Sequence, residues 1–145
     1  MYIDSVQEYS NAQSLSGTSD VVSTNVYDHK TAAKLHAGTA GGKVKIQVTV
    51  EGPAANADNT LRARYVGADN AALTTNPIIL ADTGVVALAE TTTPANGTQK
   101  VFELYPGEQE TAKQFYGVIY TQGGTSPTFT VSAAPVAAGQ TNLVR

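Results

Sequence analysis

Residues 43–50, KVKIQVTV, alternate without interruption: Val44, Ile46, Val48 and Val50 lie on one side, Lys45, Gln47 and Thr49 on the other. Successive side chains of an extended chain point to opposite faces, whereas a helix would scatter this pattern around its axis. The segment is expected to be a strand with one apolar face. TLRARYVG (60–67) repeats the signature, with Leu61, Ala63 and Tyr65 inward and Arg62 and Arg64 outward. Shorter apolar runs follow in NPIILAD (76–82), GVVALAE (84–90), KVFELYP (100–106), QFYGVIYTQ (114–122) and PTFTVSAAP (127–135).

Turn-forming text separates these runs: EGPAANADN (51–59), and TTTPANGTQ (91–99) with the tight-turn pair Asn96-Gly97. Many short strands without a long helical period or an internal repeat call for an all-β fold, an antiparallel β-sandwich or jelly roll. The expected core is Val44, Ile46, Val48, Leu61, Tyr65, Phe102, Leu104, Ile119, Phe129 and Val131. A chain of 145 residues is one domain by length, large enough to bury a core without crosslinks. The expected division is an irregular N-terminal arm (1–28), the β domain (29–136) and a C-terminal tail (137–145). Two short helical pieces are expected before the first strand. One is a turn opened by the capping-box pattern Ser5–Glu8, the other lies in HKTAAKLH (29–36).

Composition narrows the chemistry. The chain has no cysteine, which removes disulfides, thiol catalysis and thiolate metal sites. A formal charge of −3 with dispersed basic residues gives no footprint for nucleic acid. No apolar run approaches the ~20 residues of a spanning helix, so no membrane partner is expected. The first residues, MYIDSVQEYSN, have neither a basic start nor an apolar stretch, so a soluble protein made in the cytosol is expected. Charged residues are only 14% of the chain, about half the usual share, which suits surfaces that contact neighbours.

The motifs that could carry catalysis fall short. His29 and His36 stand seven apart, but with Asp28 they are too few for a stable metal centre. AGTAGGKV (37–44) has Ala37 and Val44 where a phosphate loop needs Gly and Ser or Thr. The Asx-rich turns at 56–59 and around Asp69 offer one carboxylate each, too few for calcium. Glu108 and Glu110 sit in a Pro-Gly loop, where solvated acids are ordinary, and no Gly-x-Ser-x-Gly occurs. No enzyme activity, metal or cofactor is expected. In FYGVIY both faces are apolar, Phe115 and Ile119 against Tyr116, Val118 and Tyr120. That leaves two readings: a central strand covered on both sides, or an oligomer interface through Tyr116, Val118 and Tyr120.

The arm itself is polar, yet Tyr9, Leu15, Val22, Val26 and Tyr27 are spaced along it. Its text is Asp4, then Tyr9, Ser10, Asn11, Ala12, Gln13 and Leu15, then Ser23-Thr24-Asn25-Val26-Tyr27-Asp28. This resembles the start of the capsid cement (decoration) proteins of tailed bacteriophages, the jelly-roll type represented in a Bordetella phage. FELYPG (102–107), QFYGVIYTQGGTSPTFTV (114–131) and the closing SAAP are similar to the family's last strands. The sequence departs from the family at Asn11, in place of an acid, at Tyr27, in place of an aliphatic residue, and at His29-Lys30.

The resemblance implies a structural virion protein without enzymatic activity, made in the host cytoplasm and carried on the outer surface of the phage head. There it would bridge neighbouring major capsid proteins, and it would pair with itself as a dimer, or else a trimer. Such an arm would pack on the partner through Tyr2, Ile3, Tyr9, Asn11, Gln13, Leu15, Val22, Asn25 and Tyr27. The alternative is a carbohydrate-binding sandwich or phage fibre module, against which the absence of Trp counts. A small β-sandwich hydrolase is the weakest alternative, lacking any triad or metal constellation.

Overall fold

In the computed structural model, residues 8–33, 44–51, 58–88, 100–106 and 111–137 are described. They contain ten strands and no helix: β1 (Ser10–Ser16), β2 (Val21–Val22), β3 (Tyr27–Ala33), β4 (Val44–Glu51), β5 (Thr60–Ala68), β6 (Ile78–Asp82), β7 (Val86–Ala87), β8 (Lys100–Leu104), β9 (Lys113–Gly123) and β10 (Thr128–Ala137). One sheet has the order β1-β10-β4-β8 and the other β2-β9-β5-β6, with β3 also on β9 and β7 also on β5. Every pairing is antiparallel. The chain is an antiparallel β-sandwich.

The core follows the alternation. Ile46, Val48 and Val50 of β4 meet Leu61, Ala63 and Tyr65 of β5, with Tyr116, Val118 and Tyr120 of β9 and Phe129 and Val131 of β10. Phe102 is only half-buried at the margin of this cluster, because β8 is an edge strand. Ile119 is buried outside it, in a second cluster with Val66, Ala68 and Leu73. The side chain of Val44 lies outside the described residues. So do Ser5, His36, the Gly-rich segment 37–43, Asn56, Asn96-Gly97, Glu108, Glu110 and residues 138–145.

Two local expectations are overturned. HKTAAKLH does not begin as a helix; its described part is strand β3, held on β9 through Tyr27↔Tyr116 and Asp28↔Phe115. The Asp28 carboxylate accepts the Lys30 amide at 2.7 Å and Lys30 has φ +67°, a conformation no helix contains. Nor does the β domain start at residue 29. β1 and β2 are integral strands of opposite sheets, and β10 runs to Ala137, one residue into the expected tail.

β9 is the central strand of its sheet, and both of its faces are closed by the chain itself. Its outward face carries Phe115, Gly117 and Ile119, covered by Val22, Val26 and Leu73. Leu73 arrives on a loop knotted by Asn70, whose Oδ1 accepts the amides of Thr74 and Thr75 at 2.9 Å each. On the inward face, Tyr116 lies directly across from Gly67 and fills the room its missing side chain leaves. A Cβ on Gly67 would sit 2.7 Å from Tyr116 Cε1, inside van der Waals contact. Gly67→Ala should therefore force a fully buried ring to move, at a cost of about 1–3 kcal/mol. Chemical denaturation showing an unchanged midpoint would refute this packing.

Candidate functional site

The N-terminal residues that carry the family resemblance form a clasp within the domain. β1 contains a bulge, with Ser10 opposite Ala133 but Gln13 opposite Val131, and Ala12 at φ +47°. A bulge turns the strand and re-aims its side chains. Here it points the Gln13 amide at the segment that follows β2. Gln13 Nε2 donates to the Val22 carbonyl at 2.9 Å, while its Oε1 accepts from the Thr24 amide at 3.0 Å and from Ser10 Oγ at 2.7 Å. Asn25 Nδ2 donates to the Glu8 carbonyl at 2.9 Å, and the Asn25 amide donates to Tyr9 O at 2.8 Å. Ser23 Oγ, buried, accepts the Val118 amide at 3.1 Å and donates to Asn25 O at 2.8 Å. These bonds tie the first sheet to the second across their shared edge.

The apolar members of the arm are equally committed. Leu15 is 1% exposed and Tyr9 7%, both in the main core. The Tyr9 hydroxyl is bonded to that of Tyr65 at 2.8 Å, and their rings meet edge to face at 5.5 Å. Burial pushes the Tyr9 phenol up to about 12, and raises those of Tyr65 and Tyr120 as well. These tyrosines are neutral structural groups at any ordinary pH.

The expected partner-binding set is therefore corrected. Tyr9, Gln13, Leu15 and Asn25 spend their contacts inside the chain, and Val22 is half-buried on the second cluster. Asn11 and Tyr27 are exposed, Tyr27 by half its surface, while Tyr2 and Ile3 lie outside the described residues. The oligomer interface expected at Tyr116, Val118 and Tyr120 is also overturned, since all three are completely buried between the two sheets. Of the two readings of FYGVIY, the central strand holds.

One groove opens on the outward face of the first sheet. It has a volume of about 190 Å³ and is lined by Glu8, Asn11, Gln47, Thr49, Glu51 and Ser132, among others. Gln47 and Thr49 are buried there, although strict alternation marks them as the solvent face of β4. Glu51 accepts from Ser132 Oγ across the β4–β10 pair, and Lys45, also buried, pairs with Glu103 from β8. The groove holds no His or aromatic side chain, and among the described residues no group of His, Asp and Glu could hold a metal. Sequence reading missed it because Gln47 and Thr49 carry no signal beyond alternation.

Ion pairs frame the other surfaces. Arg62 Nε donates to Asp82 Oδ1 at 3.0 Å, and Arg64 Nη2 donates to Asp20 at 2.8 Å. Buried Lys113 reaches Asp69 at 3.1 Å. Hydrogen bonds from Arg62 hold Asp82 down at about 2, and those from Gln114 and Lys30 do the same for Asp28. Asp20, Asp69 and Glu103 are lowered too, chiefly by Thr121, Asn76 and Lys45 respectively.

All five carboxylates prefer the charged form in the folded state, so their stabilisation is full above the unfolded values near 4 and is lost as pH falls toward 2. Melting temperature should thus be flat near neutrality and fall below about pH 4. Asp82→Asn should melt below the parent at pH 6, with the gap closing toward pH 2. A gap that persists unchanged at low pH would show that the charge is not the cause.

No protein-family model and no curated protein matches this chain.

Proposed function

We propose that this protein is a capsid cement protein: a structural subunit that binds the outside of a tailed-phage head and braces neighbouring major capsid proteins. The observation that carries this reading is the clasp. The short motifs that resemble the cement family, Tyr9 to Leu15 and Ser23 to Asp28, are the residues that lock the first strands of both sheets together. The strand order agrees with the family's jelly roll. With β2 and β3 counted as one interrupted strand, and β6 and β7 as another, the sheets read 1-8-3-6 and 2-7-4-5 in the order of an eight-stranded jelly roll. A domain of low charge with buried, neutral tyrosines suits a brace better than a catalyst. Among the described residues of the arm, Asn11 and Tyr27 are exposed and could touch a shell.

Co-sedimentation with heads assembled from the major capsid protein of the phage that carries this gene tests the reading. Saturable binding to the outside of expanded heads supports it, and absence of binding at micromolar concentration overturns it. The polar groove beside Asn11 and Glu51 favours one second reading, a glycan site. A sugar face normally stacks on an aromatic ring, and none lines this groove, so a glycan array is expected to be blank.

A further inference from the structure

The groove on the first sheet arises from a step in side-chain size across neighbouring strands. β10 runs between β1 and β4, and its small residues Ser132 and Ala134 pair with Thr49 and Gln47 on the outward face. Longer side chains flank them, Gln47, Thr49 and Glu51 from β4 and, from the other side, Glu8 and Asn11. The result is a trough with a floor of small side chains and walls that carry oxygen.

Both acids of the groove lack a cation, because the described ion pairs use Asp20, Asp28, Asp69, Asp82 and Glu103 instead. Lys45, next along this face of β4, is turned to Glu103 on β8. The hydroxyl of Thr49 is a separate observation. Thr49 is 4% exposed and lines the groove, yet among the described residues nothing is hydrogen-bonded to its hydroxyl. Its cross-strand neighbour Ser132 gives its proton to Glu51 and accepts the Ala12 amide at 2.9 Å. A hydroxyl buried to this degree normally has a partner, and this one opens into the groove.

We propose that the groove is a receptor for one arginine side chain of a protein partner. The charges on its described walls are both negative, and Asn11 and Thr49 add neutral acceptors. A guanidinium offers five donors in a flat fork and no acceptor, so it complements such walls. It is also more weakly hydrated than an ammonium, which lowers its cost of entering a narrow site. The aliphatic stem would lie along Ala134 and Val136. At about 190 Å³ the groove falls below the ~300–1,000 Å³ of a site for a whole small-molecule ligand, and it suits a single side chain. Two carboxylates are too few for calcium. The inference stands apart from the shell-binding reading, under which the arginine would belong to the major capsid protein.

The test is an NMR titration of the full chain with Nα-acetyl-arginine amide, following the amides of Gln47, Thr49, Glu51 and Ser132. Saturable shifts at these positions are expected, with a Kd of about 1–10 mM for so small a contact. The citrulline analogue, which keeps the shape without the charge, should bind about tenfold more weakly, and the lysine analogue should also be weaker. Glu51→Gln keeps an oxygen for Ser132 and should weaken arginine binding about tenfold. Thr49→Val should weaken it about threefold while melting at or above the parent, since it removes a buried hydroxyl that has no partner. Asp20→Asn, on the other sheet, should bind like the parent. Absence of saturable shifts up to about 50 mM overturns the proposal. So does equal binding of the citrulline or lysine analogue, saturation by methyl glucoside in place of the arginine probe, or parental affinity in both Glu51→Gln and Glu8→Gln. Arginine binding by a chain that ignores phage heads would establish the groove and remove the shell-binding reading.

Discussion

A chain truncated to begin at residue 28 should not fold. The deletion removes β1, β2 and the clasp, and with them Tyr9 and Leu15 from the main core. Burying two such side chains is worth about 3–6 kcal/mol. That is comparable to the whole stability of a domain, about 5–15 kcal/mol. The truncation also strips β10 of its outer neighbour and leaves Val118 without the Ser23 hydroxyl that accepts its amide. Tyr65 would lose the Tyr9 hydroxyl as a hydrogen-bond partner while still facing the core. The expected product is insoluble, or shows no cooperative melt. Leu15→Ala gives a graded check, with a loss of about 2–5 kcal/mol for a side chain 1% exposed. A truncated protein that melts like the parent would mean that residues 8–27 are not part of the fold.

Ile46→Asp should be nearly as severe. Ile46 sits on the central strand of the first sheet, 2% exposed, across from Leu104 on one side and Pro135 on the other. A carboxylate there faces the apolar cluster of Leu61, Tyr65 and their neighbours in the main core. An unpaired buried charge costs several kcal/mol, so the variant should be unfolded at neutral pH. Because the penalty belongs to the ionised form, acidification should restore part of the loss until the native carboxylates at Asp28 and Asp82 begin to protonate. Ile46→Val, which keeps the shape, should lose about 0.5–1.5 kcal/mol. Parental melting of the aspartate variant would place Ile46 outside the core.

The sandwich and most of its core were legible because alternation is a local signal. In KVKIQVTV and TLRARYVG the period of two names the inward residues without knowledge of any partner strand. Failures came where local chemistry was ambiguous. Ala, Lys and Leu in HKTAAKLH favour a helix, but Asp28 captures the Lys30 amide and the ladder to β9 supplies the missing partners. FYGVIY could not reveal what covers each face, since Leu73 lies 44 residues from Gly117 and Val26 lies 91 before it. The groove beside Gln47 gave no sequence signal at all. It depends on which strands lie side by side in a sheet.

What the sequence determined by itself is the class of the molecule. With period-two apolar runs and no long helical period, this chain is committed to a β core. The fate of the arm was decided only in three dimensions. A polar segment with a few apolar residues buries too little surface to order itself, and so reads as waiting for another molecule. The two sheets provide that surface from within. Once β10 offers a ladder to β1, and β9 one to β2 and β3, the same Gln13, Ser23 and Asn25 that look like partner contacts become internal bonds. A hydrogen-bonding side chain carries no record of whose backbone it will meet, and long-range strand pairing supplies that answer.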